Sequence, residues 1–199
     1  MTDNINRREF LKTAGMAGLA MGGLTTLAGC SSTTGKETTA ESGQMTMRTN
    51  PGNGDKVSIL GYGCMRWPMI KDEQEKDIVD QEAVNRLVDY AIEHGVNYFD
   101  TSPVYLQGQS EQATGIALKR HPRESYFLAT KLSNFSNSSM ENSLLMYRKS
   151  FENLQTDYFD YYLLHSIGGG GVEAFNNRYV DNGMVDFLME ERKAGRIRN

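Results

Sequence analysis

Cysteine is scarce: among 199 residues only Cys30 and Cys64 carry a thiol. Neither has a partner at metal-ligand spacing, which excludes a disulfide-rich scaffold and a thiolate zinc site. Positive charge is not in excess either. Lys and Arg number 21 against 25 Asp and Glu, for a formal net charge of −4. With no basic stripe and no interleaved aromatics, nucleic acid is not an expected partner. No apolar run reaches the roughly 20 residues that a membrane-spanning helix needs. What is present, 39% hydrophobic and 10% aromatic residues, supports one sizeable core.

The first 30 residues stand apart from that core. Asn6-Arg7-Arg8-Glu9-Phe10-Leu11-Lys12 resembles a twin-arginine export signal, and a Gly- and Ala-rich apolar stretch follows it. The stretch closes on Leu27-Ala28-Gly29-Cys30, similar to a bacterial lipobox in which the Cys becomes the lipidated mature N-terminus. The expectation is a signal peptide over 1–30 and export to the periplasmic side. Cys30 would then be a lipid anchor to the membrane, firm because more than one acyl chain is attached. Residues 31–45, dominated by Ser, Thr, Gly and Glu, read as a flexible tether.

From residue 46 strands alternate with helices. A hairpin over 45–60 turns at Asn50-Pro51-Gly52-Asn53-Gly54-Asp55, and its second arm, 57–60, counts as the first barrel strand. Trp67-Pro68 opens a charged loop. Asp80 can cap a helix with apolar residues at Val84, Leu87, Val88, Ala91 and Ile92, the spacing of one helical face. Ser110 is placed to cap the next helix, with Glu111 as an anion suited to its first turn. Further helices are expected around Met140–Leu154 and Gly183–Ala194, with strands at 96–99, 126–130 and 158–164 between them. Such alternation implies a parallel sheet with crossover helices.

Three titratable residues close apolar runs: Asp100, Lys131 and His165, at intervals of 31 and 34 residues. A (β/α)8 barrel of about 250 residues has roughly 31 per βα unit, which puts all three at equivalent C-terminal strand ends, the face where such barrels do chemistry. Tyr105, five residues past Asp100, falls in the loop above the same face. A carboxylate, a phenol, an ammonium and an imidazole therefore converge as an acid–base site. The fold expected is α/β, a (β/α)8 TIM barrel, of which 46–199 supply the first four units as the N-terminal half of a longer protein. Gly61-Tyr62-Gly63 lacks the third glycine of a dinucleotide fingerprint and reads instead as a strand end where backbone approaches something closely. Cys64 reads as a small buried apolar residue. The glycines at 168–171 permit either a mobile flap over the site or a plain irregular insertion.

Phe99-Asp100-Thr101-Ser102-Pro103-Val104-Tyr105, Gly108-x-Ser110-Glu111, Ala129-Thr130-Lys131 and Leu163-Leu164-His165, with Leu60 to Pro68, together resemble the aldo/keto reductases. The resemblance implies NADP(H) as cofactor and a small carbonyl compound as substrate, with Asp100, Tyr105, Lys131 and His165 as the catalytic tetrad. It also implies that Met65, Arg66 and Asp100 lie near the nicotinamide ribose. Hydride delivery to a carbonyl leaves an alkoxide that needs a proton. An unperturbed tyrosine titrates near 10, and a neighbouring ammonium favours its ionised form, so Lys131 would tune Tyr105 for the transfer. Some relatives add cysteines for an iron–sulfur cluster, which would suit a protein cut off from cytoplasmic nicotinamide. The competing reading is a non-catalytic barrel that binds nucleotide or a partner. The 199 residues alone are expected to be inactive, because later units of the family's barrel hold the cofactor's phosphates and adenine.

Overall fold

The computed structural model describes residues 44–199. The expected signal peptide, most of the tether and Cys30 lie outside the described residues.

Two short antiparallel strands, β1 (Met47–Thr49) and β2 (Lys56–Ser58), form the expected hairpin, with Arg48 opposite Val57. At its tip the Asn50 side chain accepts from Gly52 N, and the Asn53 side chain from Asp55 N. Ser58 N donates to Asn97 Oδ1 at 2.8 Å, and Tyr161 Oη donates to Asp55 at 2.7 Å. Asn97 precedes one barrel strand and Tyr161 begins another, so the hairpin covers the end of the sheet where strands start.

The first barrel strand is not 57–60. Lys56–Ser58 is committed to β1, while Ile59 and Leu60 are exposed. The sheet instead begins at β3 (Tyr62–Gly63), which runs parallel to β6 (Tyr98–Asp100) with Gly63 opposite Asp100. Gly61 explains the offset, since a Cβ there would lie 3.1 Å from the Tyr98 ring. The charged loop after Pro68 also differs from expectation. It is a second hairpin, β4 (Met69–Lys71) with β5 (Asp77–Val79), whose turn is tied by Asp72 accepting from Gln74 N and Lys76 N.

Strands β7 (Phe127–Leu132) and β8 (Tyr161–Leu164) complete a four-stranded parallel sheet in the order β3-β6-β7-β8. Beyond β8, Phe159 N donates to Arg196 O and Tyr162 N to Asn199 O, so residues 196–199 run beside it as the next parallel segment.

Helices pack on the outer face. Helix α1 (Gln81–Glu93) starts as expected, with Asp80 Oδ1 accepting from Ala83 N, and it buries Val84, Val88 and Ala91. Its Leu87 is partly exposed rather than in the core. Helix α2 (Gln109–Leu118) is capped by Gly108, not by Ser110, because the chain turns through left-handed Leu106 and Gln107 just before it. Glu111 lies in the first turn as expected, and both Ser110 and Glu111 are fully buried. Helix α3 (Met140–Leu154) is capped by Ser139. The glycine segment leads into a short helix, α4 (Gly171–Phe175), and one π-helical turn, Asn176–Val180, before α5 (Met184–Lys193). Phe99, Leu118, Leu128 and Phe159 are among the side chains buried between sheet and helices.

Helices α2 and α3 touch through backbone. A Cβ on Gly115 would strike Asn153 O and lie 2.6 Å from Leu154 Cα. Alanine in a helix is otherwise better than glycine by about 1 kcal/mol, so the sign of a substitution here reports the contact. Gly115→Ala should destabilise the protein by roughly 1–3 kcal/mol, the usual cost of overpacking, measured as a lower denaturation midpoint at unchanged slope.

Candidate active site

Four side chains meet at the C-terminal rim of the sheet. Asp100 is the last residue of β6, Lys131 the penultimate residue of β7, and His165 follows β8 directly. Tyr105 opens the short 3-10 turn Tyr105–Gly108 above β6. Lys131 lies one residue inside its strand instead of ending it, and the placement at the rim is unaffected.

Lys131 is the most buried of the four. Its side chain is 10% exposed and Asp100's is 30% exposed. The ammonium donates to Asp100 Oδ1 at 2.5 Å and to Thr101 O at 2.6 Å. Such partners offset the hydration that an ammonium this far from water has lost. The same nitrogen stands 4.9 Å from the centre of the Tyr105 ring. Tyr105 and His165 meet edge to face with centroids 5.8 Å apart. Among the described residues the Tyr105 hydroxyl makes no hydrogen bond, so Lys131 reaches the face of this ring rather than its oxygen.

His165 is partly buried, and its imidazole is held below its ordinary value by desolvation and then by the Lys131 ammonium, with Asp100 opposing. Its Nδ1 lies 2.7 Å from Ser133 Oγ, which is in turn 2.8 Å from Ser102 Oγ. Neither serine is among the residues expected at the site. A signal was there, since each lies two residues beyond a rim residue, Asp100 or Lys131. Phe135 stacks at a tilt 5.0 Å from His165 and supplies an apolar wall beside the rim.

Cys64, Met65 and Arg66 form the 3-10 turn directly after β3, at the same rim. Met65 and Arg66 are exposed there, and Arg66 has no ion pair among the described residues. An open cation and an exposed apolar side chain thus stand beside the partly exposed Asp100 carboxylate. Cys64 is fully buried, and burial pushes its thiol up to about 12, leaving it an inert packing residue. Behind the rim, Thr101 bonds Ser110, which donates to Cys64 O at 2.7 Å. Glu111 accepts from Thr130 Oγ1 at 2.6 Å and is raised above its ordinary value by burial. Both residues brace the strand ends from the helical side. Among the described residues no cluster of three or more His, Cys, Asp or Glu could hold a metal ion.

A parallel α/β sheet with an acid–base cluster over its strand ends is an arrangement shared by barrel enzymes and open doubly wound sheets. Residues 60–199 match the model of the aldo/keto reductase family, and the chain belongs to that family. It is 33% identical over 128 residues to D-arabinose 1-dehydrogenase of Saccharomyces cerevisiae, covering 60% of this chain and 36% of that protein. It superposes on an aldo-keto reductase of Bacillus halodurans in its holo form with TM-score 0.59 and 30% identity, over 78% of this chain and 49% of that one. An aldo/keto reductase of Klebsiella pneumoniae in complex with NADP and acetate gives TM-score 0.55 at 25% identity, over 78% and 48% of the two chains. The β3-β6-β7-β8 sheet is accordingly part of a (β/α)8 barrel, as expected. The chain spans from 34% to 49% of the length of the curated relatives it matches.

The depressed imidazole gives a titration with a definite sign. His165 should titrate by NMR with a midpoint below 6.5, the value of the free side chain. A group with a lowered folded value contributes stability that is present above 6.5 and is lost as pH falls through the folded value. His165→Gln should remove that acid-side loss, and a midpoint at or above 6.5 would contradict the geometry.

Proposed function

We propose that the protein is an NADP(H)-dependent reductase of a small aldehyde or ketone, with Tyr105 as general acid. NADP(H), when bound, supplies a hydride to the carbonyl carbon. Tyr105 then gives its phenol proton to the carbonyl oxygen, so the C=O double bond becomes a C–O single bond with new C–H and O–H bonds. The tyrosinate left behind regains its proton from solvent. Lys131, over the Tyr105 ring, stabilises the negative charge that develops on the phenol oxygen, and Asp100 keeps the ammonium charged and in place. His165 positions the carbonyl oxygen by hydrogen bonding. Met65, Arg66 and Asp100 would hold the nicotinamide ribose. The observation that supports this reading is the meeting of Tyr105, Lys131 and His165 at one rim.

A chain that covers about half of its solved relatives is expected to lack part of the cofactor site, so the 199 residues alone should not turn over. An iron–sulfur cluster would need cysteines outside this sequence, since Cys64 is buried and alone among the described residues. The proposal for the N-terminus is twin-arginine export and anchoring to the membrane through lipid on Cys30. Cys30→Ala should move the protein from the membrane fraction to the soluble periplasm, and Lys at positions 7 and 8 should hold it in the cytoplasm; unchanged fractionation would remove the anchor.

The chemistry is tested by NADPH oxidation with the full-length protein and a panel of small aldehydes and ketones. Tyr105→Phe should lower kcat by about 10²-fold or more, the usual share of a positioned acid, with cofactor affinity little changed. Cofactor binding without turnover in the native protein would favour a non-catalytic nucleotide-binding subunit instead.

A further inference from the structure

The three groups Ser102, Ser133 and His165 are spaced as the rim itself is. Each follows a neighbouring parallel strand, β6, β7 and β8, so their side chains meet although 31 and 32 residues separate the bonded pairs. Ser102 is fully buried and Ser133 almost so. Counting hydrogens decides how they bond. Each serine has one hydroxyl hydrogen, and a neutral imidazole carries one on either Nδ1 or Nε2. Suppose Nδ1 carried it. It would donate to Ser133 Oγ, Ser133 would donate to Ser102 Oγ, and the Ser102 hydrogen would be left buried with no acceptor. Its two other close neighbours cannot accept it, since Val104 N at 3.5 Å is a donor and His165 Nδ1 at 3.4 Å would itself carry the hydrogen. In the opposite sense Ser102 donates to Ser133, Ser133 donates to a bare Nδ1, and every buried donor is used. Buried hydroxyls left without partners cost free energy, so the second arrangement is favoured.

We infer that Ser133, backed by Ser102, is a positioning residue that fixes His165 as the Nε2–H tautomer. A histidine's free nitrogen is set by the bond its other nitrogen makes. Nε2–H has no partner among the described residues and is left to donate to a substrate carbonyl oxygen. The charged neighbours act in the same direction. The Lys131 ammonium from β7 disfavours a second proton on the ring, Asp100 from β6 is already engaged by that ammonium, and Tyr105 and Phe135 present ring edges and faces. His165 is thereby a neutral donor rather than a cation competing with Lys131. The kinetic consequence rests on the reductase reading above, but the tautomer itself does not.

Full-length protein labelled with [15N]histidine, without substrate, gives the direct test by long-range proton–nitrogen correlation at pH 8, His165 being assigned from a His165→Asn variant. The expected spectrum has a protonated Nε2 and an unprotonated Nδ1. Ser133→Ala should replace it with a mixture of tautomers, while Ser133→Thr, which keeps the hydroxyl, should restore it. Under the reductase reading Ser133→Ala also lowers kcat by roughly 10- to 100-fold, the scale of lost orienting partners. KM for NADPH should stay unchanged, and Ser133→Thr should rescue the rate. A native His165 protonated on Nδ1 would overturn the inference, as would a Ser133→Ala spectrum identical to the native one. Absence of turnover alongside the expected native spectrum would defeat only the reductase reading.

Discussion

The site depends on one interaction, the pairing of Lys131 with Asp100 across two parallel strands. Asp100 lies opposite Ala129 in the ladder, so Lys131 stands two residues further along β7 and its side chain reaches back over the rim. There it finds both a carboxylate oxygen and the Thr101 carbonyl. In a region with little water such a charge-assisted pair is stronger than it would be in solvent, and an ammonium without it would be costly to keep. Shifting the register by one residue would turn Lys131 to the helical face, where Thr130 now meets Glu111. The placement of Tyr105 and His165 around that ammonium follows from the same register.

Opposite ends of the sheet do different work. Below, Asp160 is buried and accepts from Leu128 N, Arg123 and Arg198. The two guanidiniums lie on the Tyr158 ring, each 3.9 Å from its centre. This clasp joins the beginnings of β7 and β8 to residues 196–199, and with the first hairpin it holds strand alignment. Above, Asp100, Tyr105, Lys131 and His165 meet at the rim. The division between a clamped lower end and a chemically equipped upper end is the general plan of barrels built this way.

Much of this was readable in the chain. Asp80 is a capping residue before an amphipathic run, and the apolar positions from Met140 to Leu154 mark a second one, so α1 and α3 could be placed from local chemistry alone. The near-regular intervals between Asp100, Lys131 and His165 reflect the length of a βα unit, and that length is a property of the backbone. Other features were hidden for physical reasons. The strands β3, β4 and β5 have two or three residues each, too few for alternation to show. Glu111 looked like an ordinary first-turn anion because nothing local tells that Thr130, 19 residues later, will lie against it.

By itself the sequence determined which kinds of group stand at the strand ends, because spacing along the chain and the period of helices and strands are local matters. It also determined where helices α1 and α3 begin. Only the tertiary structure decided that 62–63 rather than 57–60 opens the barrel, that Lys131 meets the face of Tyr105, and that two serines address one nitrogen of His165. Those outcomes depend on strand register and on the direction of individual hydrogen bonds, which exist only once distant segments are side by side.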